Sequence, residues 1–162
     1  MKHFFIPIVA LSFLCFQSST QKENAPFVFD NEELLSKEQE DKFNRLFLAH
    51  KKKTGNEIAI HTTASIGNKK DFFSYCLDYA NEHGIGKAGR DNGVLIVVSR
   101  NLRQVRINTG YGTEKVLKDK IAQKIIDSLM VPQFREQKYY EGIRDGSKEI
   151  IRFLELPQNQ IK

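Results

Sequence analysis

The run Val94-Leu95-Ile96-Val97-Val98 restricts the fold of this chain more than any other stretch. It is apolar at every position and mostly β-branched, and it is closed in front by the turn signal Asp91-Asn92-Gly93. A segment this short cannot be a free-standing helix, and with no polar alternation it cannot leave one face wet. It predicts a central strand covered by other elements on both faces.

The neighbouring patterns supply those covers. Ser36 with Gln39 three residues on forms a capping-box signature. A helix then runs to about Lys53, burying Leu35, Phe43, Leu46, Phe47 and His50, and Gly55 stops it. Glu57 to Thr63 alternates and is rich in β-branched residues, so it reads as a strand, with His61 one of its half-buried side chains and not a ligand. The next helix spans about Lys70 to His83, with the stripe Phe72, Phe73, Cys76, Leu77 and Ala80 and a C-cap at Gly84.

Beyond the central strand, Arg103 to Thr109 alternates, and Asn101-Leu102 lies in a connection short enough for an antiparallel hairpin. Asp119 to Met130 reads as a helix ended by Pro132, and Tyr139 to Leu154 as the last helix. The order of helices and strands predicts an α/β fold: a three-layer α/β/α sandwich with a mixed central sheet and helices on both faces.

The N-terminus differs in kind. Met1-Lys2-His3 is a short basic start, Phe4 to Phe16 an apolar run, and Gln17-Ser18-Ser19-Thr20 small and polar. Residues 1–20 therefore read as a secretory signal peptide, which makes the product an exported protein, periplasmic or secreted. Cys15 is a candidate for a lipid anchor, although Leu14 stands where lipoprotein signals carry a small residue. Residues 21–31 read as a linker, 32–156 as one domain and 157–162 as a frayed tail. No apolar window of about 20 residues follows the signal, so no transmembrane span is expected in the mature chain. Cys76 then stands alone, a buried thiol on a helical face. The net charge of +5 is concentrated at Lys51-Lys52-Lys53, the solvated end of a helix. Basic residues are not interleaved with aromatics, so no nucleic-acid partner is expected. A monomer is expected.

The chain has no nucleophile elbow, no P-loop and no Cys/His cluster with zinc spacing. Gly84-Ile85-Gly86 with Gly89 follows a helix instead of a strand, which contradicts a dinucleotide fingerprint. The remaining chemistry is rich in oxygen. If the central strand and its successor are antiparallel neighbours, Asp91 lies beside the Thr109–Glu114 loop. Asp91, Asn92, Glu114 and Asp119 are then candidate ligands for Ca2+ or Mg2+. The same residues equally suit a plain turn at 91–93 and helix-start capping at Glu114 and Asp119.

Taken in order, Gly84-Ile85-Gly86, Asp91-Asn92-Gly93-Val94-Leu95, Thr109-Gly110-Tyr111-Gly112 with Glu114, Leu117 to Asp119, Pro132-Gln133-Phe134-Arg135 and Tyr139-Tyr140-Glu141-Gly142-Ile143 resemble the TPM domain family. That family includes secreted or membrane-tethered bacterial proteins and a plant thylakoid-lumen acid phosphatase linked to repair of photosystem II. The resemblance spans Phe27 to Leu154. It implies a mixed sheet between helices and a divalent-metal site, usually calcium, near the Asp-Asn-Gly loop. It places that site on Asp91 and Asn92, then on Glu114 and Asp119, with Asp30 a further acidic position at the domain entry. Thr113 stands where the family commonly has an apolar residue, and no membrane anchor follows the domain.

Two classes of function follow. The first is a calcium- or divalent-metal-binding module that binds or assists a partner protein at the cell envelope. The second is a metal-dependent phosphatase acting on phosphate monoesters, with Asp91 as ligand or nucleophile and Arg90 as the neighbouring phosphate clamp.

Overall fold

The structure is a computed structural model, and it describes residues 26–161. The signal segment, Cys15 and the first residues of the expected linker lie outside the described residues.

Four strands form one sheet in the order β1-β2-β3-β4. They are β1 (Val28–Asp30), β2 (Glu57–Thr62), β3 (Gly93–Ser99) and β4 (Gln104–Thr109). β1, β2 and β3 are parallel, and β4 returns antiparallel beside β3. β3 is buried at all its positions, as its unbroken apolar run requires. Its Val94, Ile96 and Val98 enter the larger core, while Leu95 and Val97 enter a smaller one on the other face.

Helices cover both faces. The larger core is closed by α1 (Lys37–Thr54), α4 (Asp119–Ile125) and α6 (Tyr139–Leu154), through Phe43, Phe47, Ile125, Ile143, Ile150 and Leu154. The smaller core is closed by α2 (Phe72–Glu82), which buries Cys76 against Ala59, Leu95 and Val97. The fold is the expected α/β/α sandwich with a mixed sheet. No helix among the described residues is long and apolar enough to cross a membrane.

Local signals explain most boundaries. Ser36 and Gln39 make the reciprocal capping box of α1, and Gly55 ends it at φ 80° with its N–H on Lys51 O. Asp71 caps α2, accepting from Ser74 N–H.

Three expectations about elements need correction. Part of the expected linker is strand β1, whose Asp30 carboxylate accepts from Leu35 N–H and the Thr62 hydroxyl. The expected tail forms a turn at Pro157–Asn159, and the Asn159 amide donates to Phe153 O. Pro132 does not end its helix. Having no N–H, it cannot continue an α ladder, and the chain widens into a π segment (Ile126–Met130) before α5 (Val131–Arg135) resumes. Gly142 and Gly146 of α6 let that widened turn approach, since a Cβ at either would overlap Phe134 or Met130.

Candidate functional site

The site is built by one backbone stack. The glycine-rich loop after α2 folds onto the start of β3, where a Cβ on Gly86 would meet Gly93 N and one on Gly93 would overlap Ile85 O. The segment after β4 then closes over the loop. Gly110 N–H donates to Gly93 O, and the N–H groups of Gly112 and Thr113 both converge on Asp91 O, at 3.0 and 3.3 Å. Any side chain at Gly112 would overlap Arg90 O. The expected meeting of Asp91 with the Thr109–Glu114 segment therefore exists, and glycines make it sterically allowed.

Beside this stack lies a groove of about 470 Å3. One wall is α2, through Phe73, Leu77 and Ala80. The floor is Leu95 of β3 with Arg106 and Asn108 of β4, and the far wall is the short helix α3 (Tyr111–Glu114) and the first residue of α4. Asp91, Glu114 and Asp119 all line it. Among the described residues none of these three carboxylates has a cationic partner within 4 Å, although ten other ion pairs form.

Phe73, Leu77 and Tyr111 are 50%, 45% and 79% exposed, and all three border this groove. The apolar stripe of α2 is thus divided. Cys76 faces the core while Phe73 and Leu77 stay at the surface.

Two of the expected ligands are elsewhere. Asn92 is fully buried and works inside the protein. Its Oδ1 accepts from Lys87 N–H at 2.9 Å, and its Nδ2 donates to Gly55 O at 2.8 Å and to Asn56 Oδ1 at 3.3 Å. Asn92 ties the glycine-rich loop to the end of α1, with both side-chain atoms engaged inside the protein. Asp30 sits at the C-terminal end of the parallel strands, paired in register with Thr62, whereas Asp91 precedes Gly93 at their N-terminal end. The length of a strand, roughly 17–20 Å, separates the two ends.

Arg90 is also displaced from its expected role. Its guanidinium reaches toward Gly55 and does not line the groove. The cation in the groove is Arg106, which periodicity marks only as one of the alternating polar residues of β4. Its guanidinium lies 4.3 Å from the Phe73 ring centre, and its Nε donates to Asn108 Oδ1 at 2.7 Å. No sequence signal distinguishes it; only the α2–β4 packing does.

His61 and Cys76 lie in the interior and away from the groove. Burial holds the His61 imidazole down to about 4, and the ring lies between Phe29 O, the Tyr75 hydroxyl and a stacked Tyr79 ring 3.7 Å away. Burial likewise pushes the Cys76 thiol up to about 12, so it is inert at neutral pH.

The groove fits a divalent cation by donor chemistry, since carboxylate oxygens are the ligands such ions prefer. It does not form a closed cage. Among the described residues no three His, Cys, Asp or Glu side chains converge closely enough to enclose an ion.

Known proteins agree with this architecture. The TPM domain profile matches residues 28–153. The solution structure of the N-terminal domain of a P. gingivalis protein is similar with a TM-score of 0.76 and 31% identity, over 86% of this chain and 88% of that one. The solution structure of BA42 from the psychrophilic bacterium Bizionia argentinensis is similar with a TM-score of 0.65 and 24% identity, over 82% and 97%. The N-terminal domain of cg2496 from Corynebacterium glutamicum, at 11% identity and a TM-score of 0.59, shares the fold over 86% and 84%. No curated protein matches the chain. The profile runs from the start of β1 to within a residue of the end of α6, and the chain belongs to the TPM domain family.

Proposed function

We propose that this protein is an exported module that binds a divalent cation, Ca2+ or Mg2+, in the groove between α2 and α3 and engages a partner at the cell envelope. The observation that carries the reading is the set of carboxylates Asp91, Glu114 and Asp119, which line one groove and have no ion-pair partner among the described residues. The N-terminal apolar segment supports export. The open donor arrangement suits an ion that keeps several waters, held by one or two carboxylates at a time. Affinity of roughly 0.1–1 mM is expected, as for extracellular calcium modules.

The test is thermal unfolding with and without 10 mM CaCl2. At that affinity the ion stabilises by about 1.4–2.7 kcal/mol, which raises the melting temperature by several degrees. Asp91→Gly should abolish the rise without unfolding the protein, because Asp91 sits at φ 48°, where glycine is at ease. No rise with either Ca2+ or Mg2+ would end the metal reading.

Hydrolysis of phosphate monoesters is the second reading. The Arg106 guanidinium within the same groove favours it. Against it, no histidine lines the groove, so Glu114 or Asp119 would have to serve as the acid. Phosphate release from a model ester above blank, lost in Asp119→Asn, decides for it.

A further inference from the structure

We propose that Arg106 is the anion-holding residue of the groove, and that the groove's ligand is a compact oxyanion, a phosphate or carboxylate, carried on an aromatic or branched apolar group. The proposal rests in part on the metal reading, since a cation among the three carboxylates would offset their repulsion of an anion and tighten its binding.

Among the described residues, Arg106 is the sole cationic side chain lining the groove. It is held on a strand, with the Phe73 ring at 4.3 Å and Asn108 fixing its Nε at 2.7 Å. Among the described residues its two Nη groups donate to no protein acceptor, and no carboxylate lies within 4 Å. An arginine placed beside three acids would ordinarily pair with one of them. Here the charges share a groove and stay apart, which leaves a fork of donors suited to a planar or tetrahedral oxyanion.

The surroundings complete the chemistry. Phe73, Leu77 and Tyr111 give an apolar border next to the guanidinium, a place for the organic part of a ligand. Lys115, Lys118 and Lys120 line a shallower groove that shares Tyr111, Glu114 and Asp119, so the outer rim is basic and draws anions in.

The experiment titrates the protein with phenyl phosphate, benzoate and inorganic phosphate, followed by NMR, in 10 mM MgCl2 and again in EDTA. Phenyl phosphate or benzoate should bind saturably in Mg2+, and more tightly than inorganic phosphate. The tighter of the first two identifies the oxyanion. Arg106→Gln should weaken binding at least tenfold, Arg106→Lys less, and Arg90→Gln not at all. Mg2+ affinity measured without anion should not weaken in Arg106→Gln, because a competing positive charge is removed, and this shows the groove intact. Saturable binding that Arg106→Gln leaves within twofold overturns the proposal, as does no saturation by 20 mM in any condition. Inorganic phosphate binding as tightly as phenyl phosphate and benzoate removes the apolar group from the proposal and so overturns it as stated. If Mg2+ and Ca2+ fail to bind, the metal reading falls separately. The EDTA titration then decides this one, since Arg106-dependent binding there supports it and no binding overturns it.

Discussion

Asn92→Asp separates the two roles that an Asp-Asn-Gly loop can play. A ligand position gains from a carboxylate, because a full charge binds Ca2+ better than an amide oxygen. The structure predicts the opposite outcome. The Nδ2 of Asn92 donates to Gly55 O and Asn56 Oδ1, and an aspartate would face both acceptors with a lone pair. It would do so fully buried, with the backbone N–H of Lys87 donating to the other oxygen. Each buried group left without a partner costs about 1–3 kcal/mol, and the uncompensated charge adds to that unless it takes up a proton. A loss of about 3–5 kcal/mol is expected at pH 7, a large part of the stability of a domain this size. Urea unfolding followed by circular dichroism measures it as a lower midpoint at unchanged slope. The loss should shrink as pH falls toward 5, because protonation of the aspartate removes the buried charge. Wild-type stability in Asn92→Asp, or tighter Ca2+ binding than wild type, would refute the assignment of Asn92 to the scaffold.

Two further outcomes follow from buried polar groups. The hydroxyl of Thr113 is buried without a hydrogen-bond partner among the described residues, so Thr113→Val, nearly isosteric, should stabilise the fold by about 1 kcal/mol in the same urea assay. His61 is held neutral, with burial lowering it to about 4, while an unfolded histidine titrates near 6.5. Between those values the unfolded chain binds the extra proton, so stability should fall as pH drops through that window. His61→Phe should flatten the decline, and an unchanged slope would show that other groups cause it.

The sheet and its covers were legible because burial leaves a periodic trace. An apolar run at 94–98 needs two covered faces, and the capping box at Ser36 marks a helix start on its own. The edge strand β1 was not legible. It has three residues, too few to show a period, and it is held partly by the carboxylate of Asp30 bonding Leu35 N–H and Thr62. The π segment was hidden for another reason: a proline inside a helical pattern signals an end, and only packing against Gly142 and Gly146 turns it into a widened turn. In the site, Asp91, Glu114 and Asp119 could be placed because a two-strand hairpin brings its ends together. Arg90 was the expected clamp because it neighbours Asp91 in the chain, and Arg106 carries no signal beyond its place in an alternating strand. Their difference lies in which way β4 faces α2.

Asp91 is where the scaffold and the proposed site meet, and its backbone and side chain can be tested separately. Its φ of 48° is a conformation that costs a non-glycine residue about 1 kcal/mol or more, although aspartate tolerates it better than most. Its N–H is committed to Lys87 O, and its C=O receives the N–H groups of Gly112 and Thr113. The stack therefore needs only the backbone at this position, and glycine, which the loop uses at 84, 86, 89 and 93, would supply it with less strain. Asn92 next door shows what a structural side chain looks like here, with its acceptor and donor both used within the protein. Among the described residues the Asp91 carboxylate has no such partner, and Asp91 lines the groove shared with Glu114, Asp119 and Arg106. Asp91→Gly therefore tests the proposed ligand role while leaving the backbone stack in place.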